Sequence, residues 1–77
     1  MRYFFHLHDD ITCEDQEGAE FANEADAGDH AISEARIMAA ESVLQGHLTL
    51  SHHIRVGDAA GQTRFTVTFG EVVRIEQ

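Results

Sequence analysis

The chain has 77 residues, enough for one domain, and a domain of that size buries about 60–65% of the surface its unfolded form exposes. Fourteen carboxylates stand against five arginines, with no lysine, and the net charge of −9 disfavours nucleic acid and anionic membrane while suiting a basic partner. A single cysteine, Cys13, excludes an internal disulfide, and no apolar run approaches the ~18 residues of a membrane span.

Residues 2–8 alternate as a strand does. Tyr3, Phe5 and Leu7 fall on one face, and Arg2, Phe4, His6 and His8 on the other. The polar residues that follow so early, His6, His8, Asp9 and Asp10, read against a secretory signal. Together with a lone cysteine this leads to the expectation of a cytoplasmic protein. Residues 9–18 are acidic and end on the turn signal DQEG, and Glu20–Ala22 is expected to pair back on the first strand.

A helix is expected from Glu24 to Gln45. Asn23 is the N-cap, and Gly46 is the stop, with His47 just beyond. Acids at Glu24, Asp26 and Asp29 suit its N-terminus, while Gly28 weakens its first turns. Ala31, Ile32, Ala35, Met38, Ala39 and Val43 form the stripe that should cover a sheet. Ile37 and Leu44 lie off that stripe, either as stray surface apolar residues or as a small subunit contact.

The last third reads as a hairpin. Ile54 and Val56 alternate with His53 and Arg55. Residues 57–61 turn, and Phe65, Val67 and Phe69 alternate with Arg64, Thr66 and Thr68. The tail EVVRIEQ has no clean period, and either extends the strand past Gly70 or leaves as a separate segment. The expected fold is a small two-layer α+β domain, β-(β)-α-β-β. It has a three- to four-stranded, mostly antiparallel sheet with one long helix on one face.

One helix covers one face, so alternation defines the other. That outer face should carry Arg2, Phe4, His6, His8, His53, Arg55, Arg64, Thr66 and Thr68, with no acid among them. A basic, aromatic-spotted surface on an acidic protein favours self-association or an anionic ligand. Ordinary decoration by good strand formers explains it equally well.

Groups with metal or catalytic potential are few. His6 and His8 share one side of a strand, and His53 on a neighbouring strand would complete a weak zinc or nickel set with Asp9 or Asp10. Asp26, His30 and Glu34 follow at helical spacing, a pattern more common on a solvated charged face. The acids of residues 9–17 miss the calcium-loop pattern, because Gly18 comes too late. Cys13 has acids and no base near it in sequence, which argues against a reactive thiolate. There is no nucleophile elbow and no glycine-rich phosphate loop, so neither an enzyme nor a cofactor is expected.

The opening RYFFHL, the DQEG turn, the alanine-rich helix ending in Gly46 and the hairpin IRVGDAAGQTRFTVTF together resemble one family. It is a group of small bacterial proteins, domain of unknown function 6894. Its members open on such a strand and carry a D-x-x-G turn between their last two strands. The resemblance covers residues 2–69 and implies a compact α+β domain, and it carries no activity to transfer. Gly28, the paired His52-His53 and the tail depart from the pattern. In architecture alone the chain is also similar to small antitoxin domains.

Three functions remain open from the sequence. The first is a non-enzymatic homodimeric binding domain that uses the outer face. The second is an antitoxin-like partner that masks a basic protein through residues 9–29. The third is a histidine-based metal or small-anion module.

Overall fold

A computed structural model describes all residues, Met1–Gln77. Five strands and two helices follow in chain order: β1 (Arg2–His8), β2 (Thr12–Cys13), β3 (Ala19–Glu20), α1 (Glu24–Leu44), β4 (His53–Asp58), β5 (Thr63–Thr68) and α2 (Phe69–Val72). All strand pairs are antiparallel, in the order β2-β1-β4-β5. The free edge of β1 is shared: β2 pairs with Leu7 and His8, and β3 with Arg2 and Tyr3. The α+β class, the sheet and the single long helix agree with the sequence expectation. The strand expected at Glu20–Ala22 forms slightly earlier, and β2 is an additional one.

The helix is bounded as its end residues dictate. Asn23 Oδ1 accepts from the Asp26 amide at 2.9 Å, which satisfies one of the donors a helix start leaves open. At the other end Gly46 adopts φ +97°. The Gly46 amide then donates to the Val43 carbonyl at 2.9 Å and the His47 amide to the Ser42 carbonyl at 3.1 Å. These two bonds make a Schellman motif, and glycine supplies the left-handed residue it requires.

The core is thin on the helix side and broad on the sheet side. Ala27, Ala31, Ala35 and Ala39 are buried at four-residue spacing, against Tyr3, Ile54, Val56, Val67, Phe69 and Val72. Alanines let the helix axis lie close to the strands, so the bulky residues come from the sheet. Val43, expected in that stripe, is 57% exposed. A helix of 21 residues spans about 31 Å, whereas a six-residue strand spans about 20 Å. The last helical turn therefore overhangs the sheet.

The β4–β5 turn is held by Asp58, whose Oδ1 accepts from the Ala60 and Gln62 amides at 2.9 Å each. The tail does not extend the strand. Thr68 and Glu71 form a capping box that starts the single turn α2, and Phe69 is buried as its first residue. Arg36 Nε donates to the Val72 carbonyl at 2.9 Å and ties this turn to α1. No helix is long and apolar enough to cross a membrane.

Candidate binding face

The face of the sheet opposite α1 has no second layer. Arg2 on it is exposed, and Phe4, His6, His8, His53 and Arg55 are half-buried, shielded mainly by one another and by the segment between β1 and β3. That segment is organised by one carboxylate. Asp15 stands between β2 and β3 where the edge of β1 would lack a partner. Its Oδ2 accepts from the Phe5 amide at 3.1 Å, and its Oδ1 accepts from the Glu17 and Gly18 amides at 3.1 Å each. Its own amide donates to His6 Nδ1 at 3.1 Å. A side chain thus replaces a missing stretch of strand. Burial alone would raise the Asp15 pKa, but the Gly18, Phe5 and Glu17 amides outweigh it and hold it below its ordinary value.

Gly18 is required by the same arrangement. It has φ +69°, and a Cβ there would lie 2.8 Å from the Tyr3 carbonyl oxygen and 2.9 Å from the Phe4 ring. The Phe4 ring therefore lies over the DQEG turn. The turn's role as an edge plug was not read from the sequence. The available signal was the aspartate three residues before a glycine, the pattern of a side chain that caps its own turn.

The histidines do not converge. His6 spends Nδ1 on the Asp15 amide. His8 and His53 stack, with ring centroids 4.7 Å apart and planes 14° from parallel. Stacked rings direct their nitrogen lone pairs within parallel planes, so they do not share an ion. His53 Nδ1 donates to the Ser51 carbonyl at 3.0 Å, a bond that fixes its proton there when the ring is neutral. His8 Nε2 is buried with no partner. Burial, followed by the neighbouring His53, Arg55 and His6, lowers the His8 pKa below its ordinary 6.5, against a smaller upward pull from Glu14. No group of three or more His, Cys, Asp or Glu side chains is placed to hold a metal ion. The set His6, His8 and His53 with Asp9 or Asp10 is therefore not assembled.

The arginines depart from the expected basic face. Arg2 Nη1 donates to the Glu17 carbonyl at 2.7 Å, and its Nε lies 3.3 Å from Glu20. Arg55 Nη1 donates to Thr63 Oγ1 at 3.2 Å, and its Nη2 lies 3.9 Å from Glu14. Arg64 is not on this face. An irregularity between Val56 and Gly57 shifts the β4–β5 register by one residue, so that Thr63 takes the place opposite Gly57. Arg64 instead donates through Nε to Glu24 Oε1 at 2.9 Å, at the start of α1. That bond, with the charge of Glu24, raises its pKa. Acids from the segment after β1 thus balance the face at its rim.

The other candidate residues are scattered. Ile37 and Leu44 are 58% and 87% exposed on the far side of α1. His30 lies 3.2 Å from Glu34 and packs against the Phe5 and Phe21 rings, while the Asp26 amide donates to the Asn23 cap. His52 sits in a cleft of about 190 Å³ under the helix overhang, lined also by Asp9, Asp10, Glu41 and His47. Its Nε2 is 3.6 Å from Asp10 Oδ1. Cys13 is exposed on β2.

No curated protein and no solved structure is significantly similar to the chain. A family model matches residues 2–70, from the first residue of β1 into α2, and so takes in the Asp15–Gly18 plug and the whole outer face. The chain belongs to the family described as Domain of unknown function (DUF6894).

Proposed function

We propose that this domain is a non-enzymatic protein-binding module that works in the cytoplasm as a homodimer and offers its outer sheet face as a binding surface. One observation carries the reading. A single helix covers one side of the sheet, and the other side holds half-buried aromatic and imidazole groups with no layer above them. Surfaces of that kind are associated with contact. The non-enzymatic part rests on how the reactive groups are used. Asp15 and His6 are taken by backbone amides, His8 faces His53, and Arg2, Arg55 and Arg64 meet carboxylates.

Light scattering over a concentration series tests the homodimer: the expected mass is that of two chains. A single-chain mass at high micromolar concentration overturns it. Arg55→Glu in the same assay locates the contact. Loss of the second chain assigns self-contact to the face, and retention leaves the face free for a different partner.

A second reading is favoured by the exposed acids of residues 9–29. Asp9, Asp10, Asp26 and Asp29 are exposed and form no ion pair with an arginine. They would suit a basic protein, as in an antitoxin-like pair. Co-purification with a small basic protein, abolished by raising the salt, supports that reading.

A further inference from the structure

The sheet ends on one side in a strand with no neighbour. β5 pairs with β4 and with nothing else. One hydrogen bond past its end shows how its backbone groups point: the Phe69 amide donates to the His52 carbonyl at 2.8 Å. Alternation then turns the amides and carbonyls of Phe65 and Val67 toward β4, and those of Thr66 and Thr68 outward. The outward Thr68 amide is taken by Glu71 Oε1 at 3.3 Å. Thr66, in the middle of the strand, keeps a free donor and a free acceptor.

Monomeric proteins protect such an edge with lysine, proline, inward charges, a bulge or a covering element. This chain has no lysine and no proline, and β5 contains no acid. The protections it has lie toward its ends: the register shift near Gly57 with the charged Arg64 beside it, and the capping box at Thr68. On the helix side of the edge, Glu24, Ala25, Gly28 and Phe65 line an open groove of about 370 Å³. A Cβ on Gly28 would come no closer than 3.9 Å to the Phe65 ring, so the groove lies open beside a half-buried aromatic.

We infer that a second copy of this chain pairs antiparallel along β5, about a two-fold axis through Thr66. In that register Thr66 exchanges both of its free hydrogen bonds with the partner's Thr66. Phe65 lies opposite the partner's Val67 and continues the apolar row under the helices. These features suit a second copy because the same strand supplies both halves of each pair. The net charge of −9 on each copy opposes association, but at physiological ionic strength charges more than about 8 Å apart are largely screened. The inference takes the homodimer from the reading above, places its contact on the edge, and leaves the two outer faces side by side as one larger surface.

Amide hydrogen exchange and light scattering on the full chain test it together. The Thr66 amide should slow by roughly tenfold or more as concentration rises, while Phe65 and Val67 stay protected throughout by β4. Thr66→Pro removes only an outward N–H and should reduce the mass to one chain. Thr66→Val keeps that N–H and should leave two. If Thr66→Pro does not fold, the exchange of Thr66 in the unaltered chain decides alone. Two chains with a freely exchanging Thr66 amide overturn the edge contact and leave the homodimer standing. So does a folded Thr66→Pro that stays dimeric, or a Thr66→Val that becomes monomeric. A single chain at every concentration overturns both.

Discussion

Asp15 carries more of the local structure than any other polar residue. It accepts from three backbone amides, and one of them, Phe5, belongs to the first strand. Asp15→Ala leaves those donors without partners and should cost about 2–3 kcal/mol in urea unfolding; a loss below about 0.5 kcal/mol would show that water replaces the carboxylate. Gly18→Ala should cost about 2 kcal/mol or more, because strain and a close carbonyl combine. Gly46→Ala has a similar positive φ but open space around it, so it should cost only about 1 kcal/mol. His8 sets the pH response. Its pKa is lowered in the fold, so the unfolded chain binds more protons. Stability is complete above about 6.5 and falls as the pH drops below it toward the lowered folded value. The lowered Asp15 pKa acts in a separate window, where stability is lost only as the pH falls below 3.8. Melting temperature should therefore decline on mild acidification, and His8→Phe should flatten that decline while keeping a ring against His53. An unchanged slope would place the titration elsewhere.

At the scale of elements, close approach governs. The four alanines Ala27, Ala31, Ala35 and Ala39 set the distance between α1 and the sheet. Ala31→Leu or Ala35→Leu should destabilise by about 1–3 kcal/mol through overpacking, measured by thermal melting. Leu44→Ala, on the overhanging turn, should fall within about 0.5 kcal/mol of the parent. The helix limits and the hairpin were legible in sequence because caps and turns depend on residues within a few positions: Asn23, Gly46, Asp58 and Gly61 each act locally. Val43 was misplaced because periodicity carries no information about where the sheet beneath a helix stops. Arg64 was misplaced because a single register shift reverses the face of every residue beyond it.

For the whole molecule, size and association are linked. A chain of 77 residues has a small core and a modest stability, so a second copy bound only to the folded state raises its apparent stability by mass action. The melting temperature should rise by a few degrees over a tenfold increase in protein concentration. A value independent of concentration would count against the homodimer. The acidic character acts at this scale too, though much of it is spent internally: Glu14, Glu20 and Glu24 each face an arginine, so the surface left for a basic partner is smaller than the composition suggests.

By itself the sequence determined the class of fold, the single long helix with its two caps, and the division of β1 into a core side and an outer side. Those follow from periodicity and from contacts between near neighbours. Only the tertiary structure decided that Asp15 completes the edge of β1 ten residues away, that His8 stacks on His53, that Arg64 leaves the outer face, and that β5 keeps a bare edge. Each of these depends on the register and order in which distant strands meet, and no local spacing encodes that.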